Sequence, residues 1–178
     1  MASPSLSALT NFDRKLVVGV GGLAVSSNQS VILTTYSLGS CVGVTIYDPV
    51  AHAGGLLHAM LPDSSINSLK ATEQPAMFVD TGLAALFMAA SKLAVERRRV
   101  QICVAGGAQF LDDAGLFNIG QRNYAKFSEL MRREGMMIHA EAVGGLTSRT
   151  MHLSLRTGEV RLKVSGQRDE ITLFPGKL

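Results

Sequence analysis

Two apolar runs, Val42 to Tyr47 and Gly55 to Leu61, flank Asp48-Pro49-Val50-Ala51, and this arrangement constrains the fold more than any other feature of the chain. Asp at the first and Pro at the second position is the preferred chemistry of a type I turn. The runs are therefore expected to fold back on one another as antiparallel strands. With Pro49 and Val50 at the tip, Tyr47 faces His52 and, stepping outward, Cys41 faces His58. Directly opposed residues share a sheet face, with Cβ atoms roughly 4.5–5.5 Å apart. A slip of one residue sends the two to opposite faces, whereas a slip of two keeps the face and moves the partner by one pleat. Gly54-Gly55 leaves room for a slip, through a bulge or a longer loop.

The rest of the chain alternates strand-length runs with only two helical stretches. Lys15 to Val25 and Ser30 to Thr35 read as strands separated by Ser-Ser-Asn-Gln, and Asp63 to Ala71 as a polar loop. From about Gln74 to Arg98 the period becomes helical, with Phe78, Leu83, Leu86, Phe87, Ala90, Leu93 and Ala94 on one stripe. Val100 to Ala105 is an apolar strand. Asn118 to Glu134 is the second helix, with Tyr124, Phe127, Leu130 and Met131 on one face and Gly135 at its end. Met136 to Val143 is a strand, Met151 to Leu155 and Glu159 to Val164 flank an Arg156-Thr157-Gly158 hairpin, and Ile171 to Phe174 adds an edge strand. The expected fold class is α/β: mostly antiparallel β-sheets packed with two main helices. No internal repeat or linker divides residues 15–178, which read as one domain behind a flexible tail of residues 1–14.

Composition excludes several functions. Of 178 residues, 47% are hydrophobic and 17% charged, which suits a globular domain with a core. The longest apolar stretch, Leu83 to Ala90, stops at Ser91-Lys92, too short for a membrane span, and the start shows no secretory pattern, so the expected compartment is the cytoplasm. Net charge is +3 and pI about 9.1, but the basic residues form no block apart from Arg97-Arg98-Arg99, read as a helix end where positive charge suits the dipole. No aromatics interleave with it, so no nucleic-acid partner is expected. Two cysteines without CxxC spacing and four scattered histidines predict neither a disulfide nor a metal site, and nothing calls for a cofactor.

The chemistry concentrates at Cys41 and His58. A thiol of pKa about 8.5 is only a few per cent thiolate at neutral pH. A nearby imidazole can take its proton and later return it to a leaving amine. Leu38-Gly39-Ser40 lets the backbone bend, so the Cys41 N–H can face a developing oxyanion. That combination suits acyl transfer at an amide or ester. The alternative is plain: a lone cysteine beside valines is more often buried and inert. Cys103, inside VQICVA, fits that description, and His52, His139 and His152 need no special role. His58 differs because it interrupts the apolar run GLLHAMLP.

TYSLGSC at 35–41, followed by the histidine of GGLLHAMLP, closely resembles the CheD family of chemoreceptor glutamine deamidases. Val79-Asp80, Gly106-Gly107-Ala108, Asn118 to Asn123, Gly144-Gly145 with Arg149, and Thr157 to Val160 also match, so the likeness spans roughly residues 15–165. The resemblance implies a thiol hydrolase that converts glutamines of methyl-accepting chemoreceptors to methylatable glutamates. It assigns Cys41 as nucleophile, His58 as general base and acid, and Thr35 as the residue that orients His58. On the residues alone, Thr34 or Ser37 competes with Thr35. The resemblance further implies a fold similar to the catalytic domain of cytotoxic necrotizing factor toxins, and partners in chemoreceptor cytoplasmic helices and a CheC-type phosphatase. A non-catalytic adaptor for the same partners is the other function it allows. Cys103-Val104-Ala105 and Ser148 depart from the family pattern, away from the three assigned residues.

Overall fold

The computed structural model describes residues 14–109 and 118–176. The strands are β1 (Arg14–Val17), β2 (Gly22–Ser26), β3 (Val31–Leu38), β4 (Val42–Asp48), β5 (Ala53–Ala59), β6 (Gln101–Gly106), β7 (Ala140–Val143), β8 (Arg149–Ser154), β9 (Val160–Val164) and β10 (Glu170–Phe174). The helices are α1 (Ser68–Glu73), α2 (Val79–Ser91) and α3 (Ile119–Arg133). One sheet runs β1-β3-β8-β9-β10 and the other β2-β5-β4-β6-β7. Every ladder among them is antiparallel except β1–β3 and β6–β7. This is the expected class, an α/β fold of mostly antiparallel sheets with two main helices.

Strand alternation sorts the side chains of the second sheet into two cores. Val42, Val44, Ile46, Leu57, Ile102 and Val104 pack with Leu83, Leu86 and Phe87 of α2 and Phe127 and Leu130 of α3. The alternate residues Tyr47, Leu56, Cys103 and Ala105 pack with Leu33, Met151, Leu153 and Leu162 of the first sheet. The molecule is therefore three layers, sheet on sheet on helices. Strands β4 and β5 are buried along their whole length because both of their faces are covered.

Several segments differ from expectation. The run Lys15 to Val25 is not one strand: β1 lies in the first sheet and β2 in the second, and residues 18–21 carry the chain between them. The glycines of that run permit the bend that its valines conceal. The helix expected from Gln74 starts at Val79, because Phe78 is extended and bridges Leu61, and it ends at Ser91. The polar loop contains α1, whose Asn67 side chain caps it by accepting from the Lys70 N–H. Arg14, counted with the tail, opens β1, and residues 1–13 of that tail lie outside the described residues.

Arg97-Arg98-Arg99 lie in a turn beyond α2 and not at its end. Arg99 is drawn there by Asp48, which is fully buried and accepts from the guanidinium at 2.8 Å. Burial alone would raise the Asp48 pKa, but Arg99 and the N–H groups of Glu96, Val50 and Ala51 hold it down at about 2. The Asp-Pro turn thus does two jobs, closing the β4–β5 loop and anchoring the segment after α2.

Candidate active site

The β3–β4 connection carries the chain from the first sheet to the second, and Cys41 is its last residue. Ser37 takes a left-handed φ of 57°, the Gly39 N–H donates to Ser37 O at 2.8 Å, and the Ala108 N–H donates to Gly39 O at 2.8 Å. Gly107 N–H donates to Cys41 O at 2.8 Å. A regular ladder would return the Cys41 N–H to Gly107 O. Gly106 and Gly107 have φ of 106° and 59°, so the partner strand turns away there. Among the described residues the Cys41 N–H has no backbone acceptor.

The β4–β5 register pairs Asp48 with Ala53 and Gly43 with His58. It is shifted by two residues from the pairing expected from sequence, because the loop holds Pro49 to His52 and not two residues. His52 closes that loop with a left-handed φ of 48°. Cys41 therefore does not directly oppose His58. It lies one pleat beyond Gly43 on the same, inter-sheet face, where diagonal neighbours are roughly 7–8 Å apart and their Cβ atoms somewhat closer, within reach of long side chains. Cys41 is partly buried and packs on the inter-sheet core, and His58 is 1% exposed.

His58 reaches across to the first sheet. Its Nδ1 lies 2.7 Å from Thr35 Oγ1, and that hydroxyl lies 2.7 Å from Val18 O. A carbonyl only accepts and a hydroxyl has one proton, so both contacts are used when Thr35 donates to Val18 and accepts from His58 Nδ1–H. This fixes the tautomer and leaves the lone pair on Nε2. That Nε2 is buried and has no partner among the described residues. Burial lowers the imidazole pKa to about 4, so His58 is neutral at ordinary pH. Burial also raises the Cys41 thiol, with its own N–H acting the other way. At rest the thiol and the imidazole are both neutral, a weak acid and a base on one sheet face.

The other candidates fall elsewhere. Thr34 points to the opposite face, where its Oγ1 lies 2.9 Å from His152 Nδ1. The other nitrogen of His152 is 3.6 Å from Glu170. Adjacent threonines thus hold one histidine on each face of β3. Cys103 is 1% exposed in the inter-sheet core, and burial pushes its thiol up to about 12. His139 Nδ1 accepts from the Ile102 N–H at 3.2 Å. Ser148 lies in the loop before β8, where its carbonyl accepts from Ser165 N–H at 2.9 Å. Sequence reasoning missed the Val18 carbonyl, because a backbone oxygen leaves no mark in residue identity. Among the described residues, no cluster of acidic, histidine or cysteine side chains is arranged to hold a metal ion. Among the described residues, no helix is long and apolar enough to cross a membrane.

Fold and site together define an α/β protein that holds a thiol, a neutral imidazole and a threonine between two sheets. Residues 60–164 match the family model described as CheD chemotactic sensory transduction. Over 92% of its length the chain is 40% identical to a probable chemoreceptor glutamine deamidase of Solibacter usitatus, covering 97% of that protein. A Syntrophus aciditrophicus protein of the same description is 43% identical over 85% of this chain and 94% of its own. One from Pyrococcus abyssi is 39% identical over 86% of this chain and 95% of its own. The chain belongs to the CheD family. A solved Neisseria meningitidis protein of another family, DUF152, aligns at 14% identity with a TM-score of 0.41, covering 73% of this chain and 58% of its own, too distant to bear on the fold.

Proposed function

We propose that this chain is a protein-glutamine deamidase that converts particular glutamines of methyl-accepting chemoreceptors to glutamates, with Cys41 as nucleophile. Family membership supports the substrate class. The observation that carries the mechanism is His58: its Nδ1 is engaged by Thr35, its Nε2 has no partner among the described residues, and it lies on the inter-sheet face on which Cys41 packs. The Cys41 thiol gives its proton to Nε2 as the sulfur attacks the glutamine carboxamide carbon. The carbonyl oxygen becomes an oxyanion, faced by the Cys41 N–H, which has no backbone acceptor among the described residues. His58 returns the proton to the departing nitrogen, ammonia leaves and a thioester remains. Water, losing a proton to His58, attacks the thioester, and the thiol is regenerated beside a glutamate. The net change is amide plus water to acid plus ammonia, with no other reactant.

Thr35 holds the ring through both half-reactions. On this reading the protein works in the cytoplasm on receptor helices, and a CheC-type phosphatase is a second partner carried by the family resemblance. The test is intact-mass analysis of receptor cytoplasmic fragments after incubation with wild type and with Cys41→Ala. A gain of about one dalton per deamidated glutamine, absent with the variant, is the expected result of thiol-dependent hydrolysis. Stable binding by both proteins with no mass change would replace the enzyme with an adaptor.

A further inference from the structure

The first turn of α3 sits on the segment that carries the nucleophile. A Cβ at Gly120 would lie 2.4 Å from Ala108 O and 2.6 Å from Gly107 O, so the helix approaches that loop as closely as a glycine allows. Three residues on, and hence on the same helix face, stands Asn123. It is fully buried, a polar side chain among the buried Gly120, Phe127, Leu130 and Met131 of the helix. Its Nδ2 donates to Ser40 O and to Met60 O, each at 2.9 Å. The reversed carboxamide would set an oxygen against two carbonyl oxygens, so the orientation is fixed. Both amide protons are used, and Oδ1 is left buried without a partner among the described residues.

The two carbonyls belong to the segments that matter. Ser40 immediately precedes Cys41, and Met60 follows His58 by two residues. The β4–β5 ladder ends at the Val42–Ala59 pair, so beyond it the hairpin has no ladder to hold its arms together. Asn123 supplies the tie. The peptide unit is planar and trans, so Ser40 C=O and Cys41 N–H point in opposite directions. Fixing the carbonyl therefore also aims the N–H.

We propose that Asn123 is a positioning residue, which sets the separation of the Cys41 and His58 segments and the direction of the Cys41 N–H. The inference rests on the Cys41–His58 reading above. Two variants separate positioning from packing. Asn123→Asp keeps the shape but places carboxylate oxygen against the two carbonyls; Asn123→Ala removes the donors and leaves a small cavity. A residue that merely fills space would be better replaced by the isostere. A tie through its N–H groups predicts that Asn123→Asp is at least as damaging as Asn123→Ala. Both should lower kcat for receptor deamidation about 100-fold with KM within about twofold, the scale of losing one oxyanion donor. Asn123→Gln, which keeps the donors on a longer arm, should recover part of the rate.

A measurement without substrate makes the outcomes distinguishable. Iodoacetamide alkylation at neutral pH reads Cys41, since Cys103 is buried. Wild type should react faster than His58→Ala, and folded Asn123→Asp and Asn123→Ala should fall to the His58→Ala rate. Equal rates for wild type and His58→Ala would overturn the paired reading and this inference with it. A His58-dependent wild-type rate that both Asn123 variants retain would overturn the inference alone. Thermal melts establish that the variants compared are folded.

Discussion

His58 Nε2 is the atom on which the proposed chemistry turns, and its availability is decided by a hydroxyl in the other sheet. Thr35→Val keeps the shape of the side chain but leaves both Val18 O and His58 Nδ1–H without a partner. We expect turnover to fall about 100-fold or more, as when an imidazole loses its orienting group, while Thr35→Ser keeps most of it. Stability of Thr35→Val should drop by about 1–3 kcal/mol in urea unfolding, since buried polar groups are orphaned. The pH profile gives a second test at this scale. His58 acts as a base only when neutral, and its pKa is lowered to about 4. The acid limb of kcat/KM should therefore fall near pH 4, and not near the ordinary histidine value of about 6.5. A limb close to 6.5 would mean that the ring is not buried in the free enzyme.

At the level of elements, α3 and the Asp-Pro loop each join pieces distant in sequence. Gly120→Ala must push α3 off the Gly107–Ala108 backbone, and Gly107 in turn holds Cys41 O. The expected cost is about 1–3 kcal/mol, typical of overpacking, with a loss of turnover greater than the melting shift explains. The matched measurements are thermal unfolding and initial rate on one receptor fragment. At the far end of β4, Asp48→Asn removes the charge that Arg99 grips. Since Asp48 is fully buried and Arg99 about a quarter exposed, the loss should be about 2–3 kcal/mol, below that of a wholly buried pair. Activity of the folded fraction should be retained, because this loop lies at the other end of the hairpin from Cys41.

For the molecule as a whole, burial of a neutral histidine between two sheets makes stability depend on pH. The unfolded chain takes up a proton on His58 as pH falls below about 6.5, whereas the folded chain resists until about 4. The contribution is thus fully present above 6.5 and is lost progressively down to 4, a span worth roughly 3 kcal/mol. His152, lowered in the same direction by burial, adds to this decline. Asp48 acts in the next window: its pKa is depressed, so its contribution holds above about 4 and fades as pH falls toward 2. Urea unfolding at steps from pH 7 to 4 should show the first decline in wild type and a shallower one in His58→Gln. An equal slope in both would mean that His58 is not the group responsible.

Local chemistry determined the elements. The apolar run Val42 to Tyr47, the helical stripe through Phe127 and Leu130, and the Arg156 to Gly158 turn each depend on near neighbours, and each appears where the pattern puts it. The same patterns could not locate the break in Lys15 to Val25, because a strand that changes sheets reads like one that does not. They also left the hairpin register open: the Asp-Pro signal marks where a turn begins but not how many residues it spans. The side chains of the candidate site were conspicuous by type, a cysteine after a bend and a histidine in an apolar run. Their grouping was not. Thr35 and His58 lie on different sheets and meet only when those sheets pack. Val18 O joins them from a crossover, and Asn123 ties Ser40 to Met60 from a helix far along the chain. Sequence fixed which groups were available and the hydrophobic pattern that brings the layers together. Only the packed layers decided which threonine bonds His58, which of its nitrogens is free, and which carbonyls are tied beside Cys41, since each depends on distances between residues that no local rule relates.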